Sequence, residues 1–481
     1  MFKLAIKAIE VANKHRVDFG DIRVVEERNQ ALAVKSGEIA SLVDETTLGY
    51  GVRVLYQGAW GFASGRDMTE RAVAETTLKA IAIAKASRLL MKGKVRLAHE
   101  PAYQDFWQTP FLKDPFAIPV QTKLDMLFAL DKVLRADKRI KVTESEMVFM
   151  REHQWHMTTE GSRIEQVLLN TGGCITATAV QNGESQLRGY PCSHGGQTLA
   201  GGWEIIEAMD LPAHAERVRD EAVALLKAPV CPTGEKDLII SGNQMALQIH
   251  ESVGHASELD RVLGYEESYA GSSFATTEKL GKFRYGSEIV NLVADATLPG
   301  GLATAGYDAD AVKAQRWNIV KDGVLSGYMT NREFCGRIGM ERSWGSCRAD
   351  GYSNIPITRI CNLSLMPGKS STEELVGGIK DGVMMENNTS WSIDQKRLNF
   401  QFGCEIGWEI KNGRKGRMIK NPRYQGITPE FWGSCDAIAG PQEWRLWGVA
   451  NCGKGQPGQR AMMCHGSSPA RFRKVKVGVH G

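Results

Sequence analysis

Lys236-Asp237-Leu238-Ile239-Ile240-Ser241-Gly242-Asn243, running on through Met245 and Ile249 into His250-Glu251-Ser252-Val253-Gly254-His255, reads as a strand, a turn and a helix. Leu238, Ile239 and Ile240 form a short apolar run suited to a buried strand. Ser241 and Asn243 carry the short polar side chains that cap helix N-termini. Met245, Ile249, Val253 and Ala256 recur at spacings of four, four and three, which makes one apolar stripe able to pack on a core. His250, Glu251, His255 and Glu258 fall on the opposite half of the wheel, so the chemically active side chains are expected away from the buried face.

Two imidazoles bracketing a carboxylate are the parts of a metal-activated hydrolase. In the common H-E-x-x-H helix the histidines are four apart and share a face. Here they are five apart, about 140° round an ideal helix, so either the helix is distorted or the motif is false. A single π-turn would bring residues five apart onto one side. Gly254, which weakens a helix interior, sits where that distortion is needed. On these six residues alone, two readings stay open: a metal site, or histidines that are solvated or satisfied in a core. Cys452, in Asn451-Cys452-Gly453-Lys454-Gly455-Gln456, lies among glycines where the backbone can approach closely and a thiolate can be presented. Two neutral imidazoles and a thiolate would leave a fourth position open, as catalytic zinc requires. Glu258 and Asp260 are candidates to accept the second ring N–H of a ligating histidine, against the alternative of solvated helix charges.

Other histidines offer less. His153 and His156 have H-x-x-H spacing in a strand-like segment, where alternation points the rings to opposite faces. His194 and His465 lie in loops rich in glycine and serine, where either could line a substrate path, though nothing local favours that role.

The 481 residues carry a formal charge of +4, with basic and acidic residues interspersed, which argues against a general nucleic-acid binder. The locally basic segment around Arg471, Arg473, Lys474 and Lys476 is expected to be a solvated strand over 471–479. Residues 1–15 read as an amphipathic helix and not as a secretory leader. No stretch approaches the roughly 20 apolar residues of a membrane span. Ten cysteines without a C-x-x-C pair fit reduced thiols in a cytoplasmic protein, each otherwise a small buried hydrophobe.

The pattern predicts an α+β chain with an N-terminal α+β domain over 1–227 and a β-rich domain over 228–481 carrying the metal-binding helix. Strands are expected at 21–27, 30–34, 47–56, 147–150, 153–158 and 165–170, and helices at 70–87, 120–136 and 203–226. Residues 91–118 read as a connector punctuated by Pro101, Pro110 and Pro115, with Pro119 just after it. The Pro229 and Cys231-Pro232-Thr233-Gly234 breaks mark the boundary. Lys321-Asp322-Gly323 and Lys411-Asn412-Gly413 are hairpin signals, and a further helix is expected near 373–380.

The stretch from His250 to Asp260 resembles the H-E-x-x-x-H helix of the TldD/PmbA family of metalloproteases. Ala33-Val34-Lys35-Ser36-Gly37-Glu38, Gly49-Tyr50-Gly51-Val52-Arg53-Val54 and Gly58-Ala59-Trp60-Gly61-Phe62-Ala63 look like that family's N-terminal signature. Tyr328-Met329, Pro356 with Arg359 and Asn362, Asn399-Phe400 and Cys452-Gly453-Lys454 follow in the family's order. The resemblance implies His250, His255 and Cys452 as zinc ligands and Glu251 as general base. It implies peptides or unfolded polypeptides as substrates, and a closed dimer with a second copy or with a metal-free sister chain. It gives no nucleic-acid or membrane partner. Tyr307-Asp308-Ala309-Asp310-Ala311 and Cys361 depart from the family's usual Tyr-Asp-Asp-Glu-Gly and threonine, which bears on substrate preference. Two rival classes remain: a non-catalytic binding or assembly subunit, and a thiol hydrolase using Cys452 with a histidine base.

Overall fold

The computed structural model describes residues 1–91, 93–193, 195–455 and 458–478. The chain is mixed α+β, with 24% helix and 42% strand. Among the described residues, the N-terminal half is built on an eight-stranded sheet whose path runs Ala59–Gly65, Glu38–Tyr56, Phe19–Lys35, Ile140–Thr158, Arg163–Gln181, Gln104–Gln108. Helices Phe2–Lys14 and Glu70–Arg88 close one apolar cluster against it, around Ile22, Val24 and Val54. Helices Val120–Leu134 and Leu211–Leu225 close another, around Leu127, Phe149 and Val218.

Several strands are longer than their apolar alternation suggests. Residues 21–27 and 30–34 belong to one strand, because Glu26, Glu27, Arg28 and Asn29 are laddered on both sides, to Leu48, Thr47, Thr46 and Glu45 and to His153, Glu152, Arg151 and Met150. A polar interruption ends a strand in a one-sided pattern, but not where two neighbours hold its backbone. Similarly, 147–150 and 153–158 fuse in Ile140–Thr158. The helix expected over 203–226 is two helices, Glu204–Met209 and Leu211–Leu225. They part at Asp210, at φ 46°, just before Pro212, which has no N–H to continue a helix. The connector holds the strand Gln104–Gln108, paired parallel to Arg163–Gln181.

In the C-terminal half, a seven-stranded sheet pairs Gly234–Ile240 parallel to Asp381–Ile393 and antiparallel to Ala470–Val477. The basic strand is thus internal to a sheet and not a solvated ribbon. Val475 and Val477 are buried, Lys474 and Lys476 are exposed, and Arg471 and Arg473 pair with Asp436. Val479 lies outside the described residues. Both expected hairpins form, with Asp322 and Gly323 at φ 50° and 75°, and Asn412 and Gly413 at φ 47° and 73°. Positive φ at both central residues is the turn that matches strand twist.

The largest apolar cluster surrounds the helix that follows Gly234–Ile240. Met245, Ile249, Val253, Ala256 and Leu259 are fully buried in it, with Phe400, Phe402, Tyr424, Phe431, Trp432 and Phe472. Each large side chain so buried contributes roughly 1.5–3 kcal/mol. None of the described helices is long and apolar enough to cross a membrane.

Candidate metal centre

The helix changes pitch where the histidine spacing demands it. Gly242–Ile249 is α-helical, His250–Gly254 forms a π-turn, and His255–Ser257 tightens to a 3-10 turn. The His255 N–H reaches back five residues to the His250 carbonyl. The two rings come to 4.8 Å between centroids. Ser241 occupies the N-cap position without making a cap hydrogen bond; its hydroxyl pairs with Asn243 instead. Carbonyls at the irregular end are taken by side chains: Tyr285 on Ser252, the Ser257 hydroxyl on Gly254 and the Ser273 hydroxyl on Ala256. Such partners stabilise a helix end that is buried away from water. Gly254 has a packing reason as well, since a Cβ there would meet Ile360 Cδ1 at 2.8 Å.

The face expected to lie away from the core is itself buried. His250, Glu251, His255 and Glu258 are 3%, 6%, 5% and 0% exposed. It is covered by elements far away in sequence: the hairpin of Arg445–Lys454 and Gln459–Ser467, and the turn ending at Arg397.

Hydrogen bonds order the two rings. His465 Nδ1 donates to the Leu363 carbonyl at 2.8 Å, so its Nε2 is an acceptor. His250 Nδ1 donates to that nitrogen at 2.9 Å, which leaves the His250 Nε2 lone pair free. His255 Nδ1 donates to Glu258 Oε2 at 2.8 Å, which frees its own Nε2. Burial holds all three rings below the ordinary histidine range, well below for His255 and His465. Neutral rings with fixed tautomers are the form that binds a metal.

Cys452 enters from the strand Arg445–Lys454, where pairing with Gln459–Ser467 slips between Val449 and Cys452. Its Sγ lies 3.5 Å from His255 Nε2. Burial pushes the thiol up, but the positive charge of the Arg359 guanidinium, 3.1 Å from the sulfur, helps to bring it below its ordinary value. One donor atom from each of His250, His255 and Cys452 lies within 4.8 Å of the others. Two imidazole nitrogens and a thiolate-prone sulfur at this spacing suit zinc.

Glu251 ion-pairs with Arg397 Nη1. Both line a cavity of about 590 Å³ that also contains His250, His255 and Cys452. Glu146, Val148 and Met150 of the N-terminal sheet line it as well. Of the two carboxylates proposed to hold a ring, Glu258 does so and Asp260 does not. Asp260 receives Lys454 Nζ at 2.7 and 2.8 Å, and that ammonium lies 3.3 Å from Glu258 Oε1. Burial opposes the Lys454 charge, and Asp260 and Glu258 raise its pKa. Asp260 therefore acts on His255 only through Lys454 and Glu258.

Sequence reading placed His465 in a loop with no preferred role, did not single out Arg397, and placed Arg359 only by resemblance; His465 lies instead in the strand Gln459–Ser467. None has a local pattern: His465 stands opposite Trp447 on a strand and Arg397 ends a turn. His153 pairs with Glu165 and His156 with Asp21, on separate faces of the sheet as alternation requires. His194 lies outside the described residues. In the segment 307–311, Asp310 pairs with Arg53 of the N-terminal half, while Asp308 takes the N–H groups of Asp310, Val312 and Cys347 within its own half, so of the departures Asp310 ties the two halves together.

Family models of the PmbA/TldA metallopeptidases match three segments: domain 1 over 20–84, the central domain over 113–226 and the C-terminal domain over 233–478. The chain belongs to the TldD/PmbA metallopeptidase family. A metalloprotease of Methanocaldococcus jannaschii is 29% identical over 91% of this chain and 92% of its own. A protein named zinc metalloprotease TldD homolog from Saccharolobus solfataricus is 23% identical over 99% of both. TldE from Thermococcus kodakarensis shares the fold, with a TM-score of 0.72 at 15% identity over 99% of this chain and 100% of that one.

Proposed function

We propose that this chain is a zinc-dependent peptidase acting on peptides or unfolded polypeptides, with His250, His255 and Cys452 as the metal ligands and Glu251 as general base. The observation that carries this reading is the convergence of those three donor atoms within 4.8 Å, beside Glu251 in one cavity. A zinc ion held there supplies Lewis acidity, polarising a carbonyl and lowering the pKa of water from about 15.7 to about 7. The chain does the rest. Glu251 takes a proton from the attacking water and delivers it to the departing amine. His465 and Glu258 keep the two ring lone pairs aimed into the site, and Arg359 favours the Cys452 thiolate.

The reading extends to a division into a 1–227 α+β domain and a 228–481 metallopeptidase domain, with the cavity between them. It further takes the protein to be cytoplasmic and to pair with a second copy or with a metal-free chain of the same family. The test is metal content with restoration: protein purified without chelator holds about one zinc per chain, chelation abolishes peptide cleavage and added zinc restores it. Protein that lacks zinc and cleaves nothing would instead be a binding subunit.

The 3.5 Å approach of Cys452 Sγ to His255 Nε2 also fits a thiol hydrolase. Iodoacetamide separates the two, since a thiol enzyme cleaves without metal and is blocked by alkylation.

A further inference from the structure

Among the described charged side chains that line the cavity, Arg397 is the one in contact with Glu251, and zinc, water and Glu251 leave it without a task. Arg397 ends the turn 394–397, at φ 64°. Its own N–H bonds the Asp394 carbonyl at 2.9 Å, and the Thr428 hydroxyl holds its carbonyl at 2.8 Å. The preceding carbonyls are pinned too, Lys396 by the Phe274 N–H and Gln395 by Arg261. A non-glycine residue keeps a left-handed backbone only where its surroundings fix it, and here they do so at the wall of the reaction cavity.

The guanidinium so presented is under-used. Its side chain is 15% exposed, and Nη1 contacts Glu251 Oε2. Among the described residues that is its only side-chain hydrogen bond given by the structure, and Nε is buried with no partner. A planar fork with five N–H donors and one occupied is suited to a second anionic oxygen. Because Glu251 must reach the attacking water, a group bonded to Glu251 lies near the carbonyl under attack.

We propose that Arg397 is a catalytic residue that donates to the scissile carbonyl oxygen as negative charge develops there, while Nη1 keeps Glu251 oriented. This rests on the metallopeptidase reading. In the step, the water oxygen bonds the carbonyl carbon, its proton passes to Glu251, and the C=O π pair moves onto the oxygen facing Arg397. The C=O bond then re-forms, the C–N bond breaks, and the amine takes the proton from Glu251. A donor placed for charge that exists only in the transition state raises kcat and leaves KM nearly unchanged.

The experiment compares zinc-loaded wild type with Arg397→Ala and Arg397→Lys, following peptide cleavage, zinc content and calorimetric binding of a phosphinic peptide, a mimic of the tetrahedral state. Arg397→Ala should lower kcat by roughly 10²–10³ with KM little moved and zinc retained. Phosphinic-peptide affinity should fall by a similar factor, and added guanidinium should restore part of the rate. Arg397→Lys, which keeps the charge and loses the fork, should fall between. Unchanged kcat and phosphinic-peptide affinity in both variants, or a rise confined to KM, would overturn the proposal while leaving the peptidase reading intact. A wild-type protein that neither cleaves peptides nor binds the phosphinic peptide would overturn the peptidase reading, and this inference with it.

Discussion

His153 and His156 lie three residues apart on the strand Ile140–Thr158, while His250 and His255 lie five apart across a π-turn. Neither spacing is the four-residue one that an α-helix turns into a metal pair, and only the second pair converges. On the strand, the pleat sends the rings to opposite faces, where His153 stacks on Trp155 and pairs with Glu165, while His156 is buried against Asp21. On the helix, one wider turn undoes the 140° offset, and the rings meet at 4.8 Å. The pitch of the backbone, more than the residue count, decides what two histidines can hold. Surroundings differ as well, since each ring of the helical pair has its Nδ1 committed elsewhere and its Nε2 left free.

The sharpest way to break this contrast is at Glu251. Glu251→Gln removes the proposed base and none of the proposed ligands, so peptide cleavage should fall by at least roughly 10²–10⁴ with zinc still bound, read by steady-state kinetics and elemental analysis. Ordinary turnover would show that the helical pair serves something other than hydrolysis.

Next in size is the ring behind His250. His465→Ala frees the His250 Nδ1–H and unfixes its tautomer, so zinc affinity should drop about 10–100-fold, measured by chelator competition. Unaltered affinity would mean that the π-turn alone orients the pair.

A smaller effect concerns acid. His250, His255 and His465 have folded pKa values depressed by burial, so in the zinc-free protein they stay neutral while the unfolded chain takes up protons. Their contribution is present above the ordinary histidine pKa of about 6.5 and is lost as pH falls below it, at about 1.4 kcal/mol per ring and pH unit. The melting temperature of chelated protein should therefore fall between about pH 7 and about pH 5, and less steeply in His465→Gln. An equal slope in both would remove His465 from this set.

The least effect is expected on the strand. His153→Ala should leave zinc content and cleavage unchanged, because Glu165 and Trp155 are its partners and, among the described residues, it belongs to no cluster of metal-donor side chains. Loss of metal there would dissolve the contrast altogether.

Much of this was legible in the chain because it is local. The apolar stripe from Met245 to Ala256, the π-turn forced by the five-residue spacing, and the two hairpins with positive-φ Asp-Gly and Asn-Gly turns each follow from neighbours in sequence. What sequence reading missed is carried by distant pairing. Two-sided ladders merged strands that looked interrupted at Arg28 and Arg151. The basic strand Ala470–Val477 is internal because three strands pair with it. His465 lies 215 residues from the ring it orients and Arg397 lies 146 from the carboxylate it holds, separations across which periodicity carries no signal.

X-ray absorption at the zinc edge tests the central claim most directly, because it counts and identifies the donor atoms. The account predicts one sulfur at about 2.3 Å and two imidazole nitrogens at about 2.0–2.1 Å, with the sulfur contribution lost in Cys452→Ser and unchanged in His153→Ala. A spectrum of oxygen and nitrogen donors alone, or a sulfur signal that survives Cys452→Ser, would contradict it.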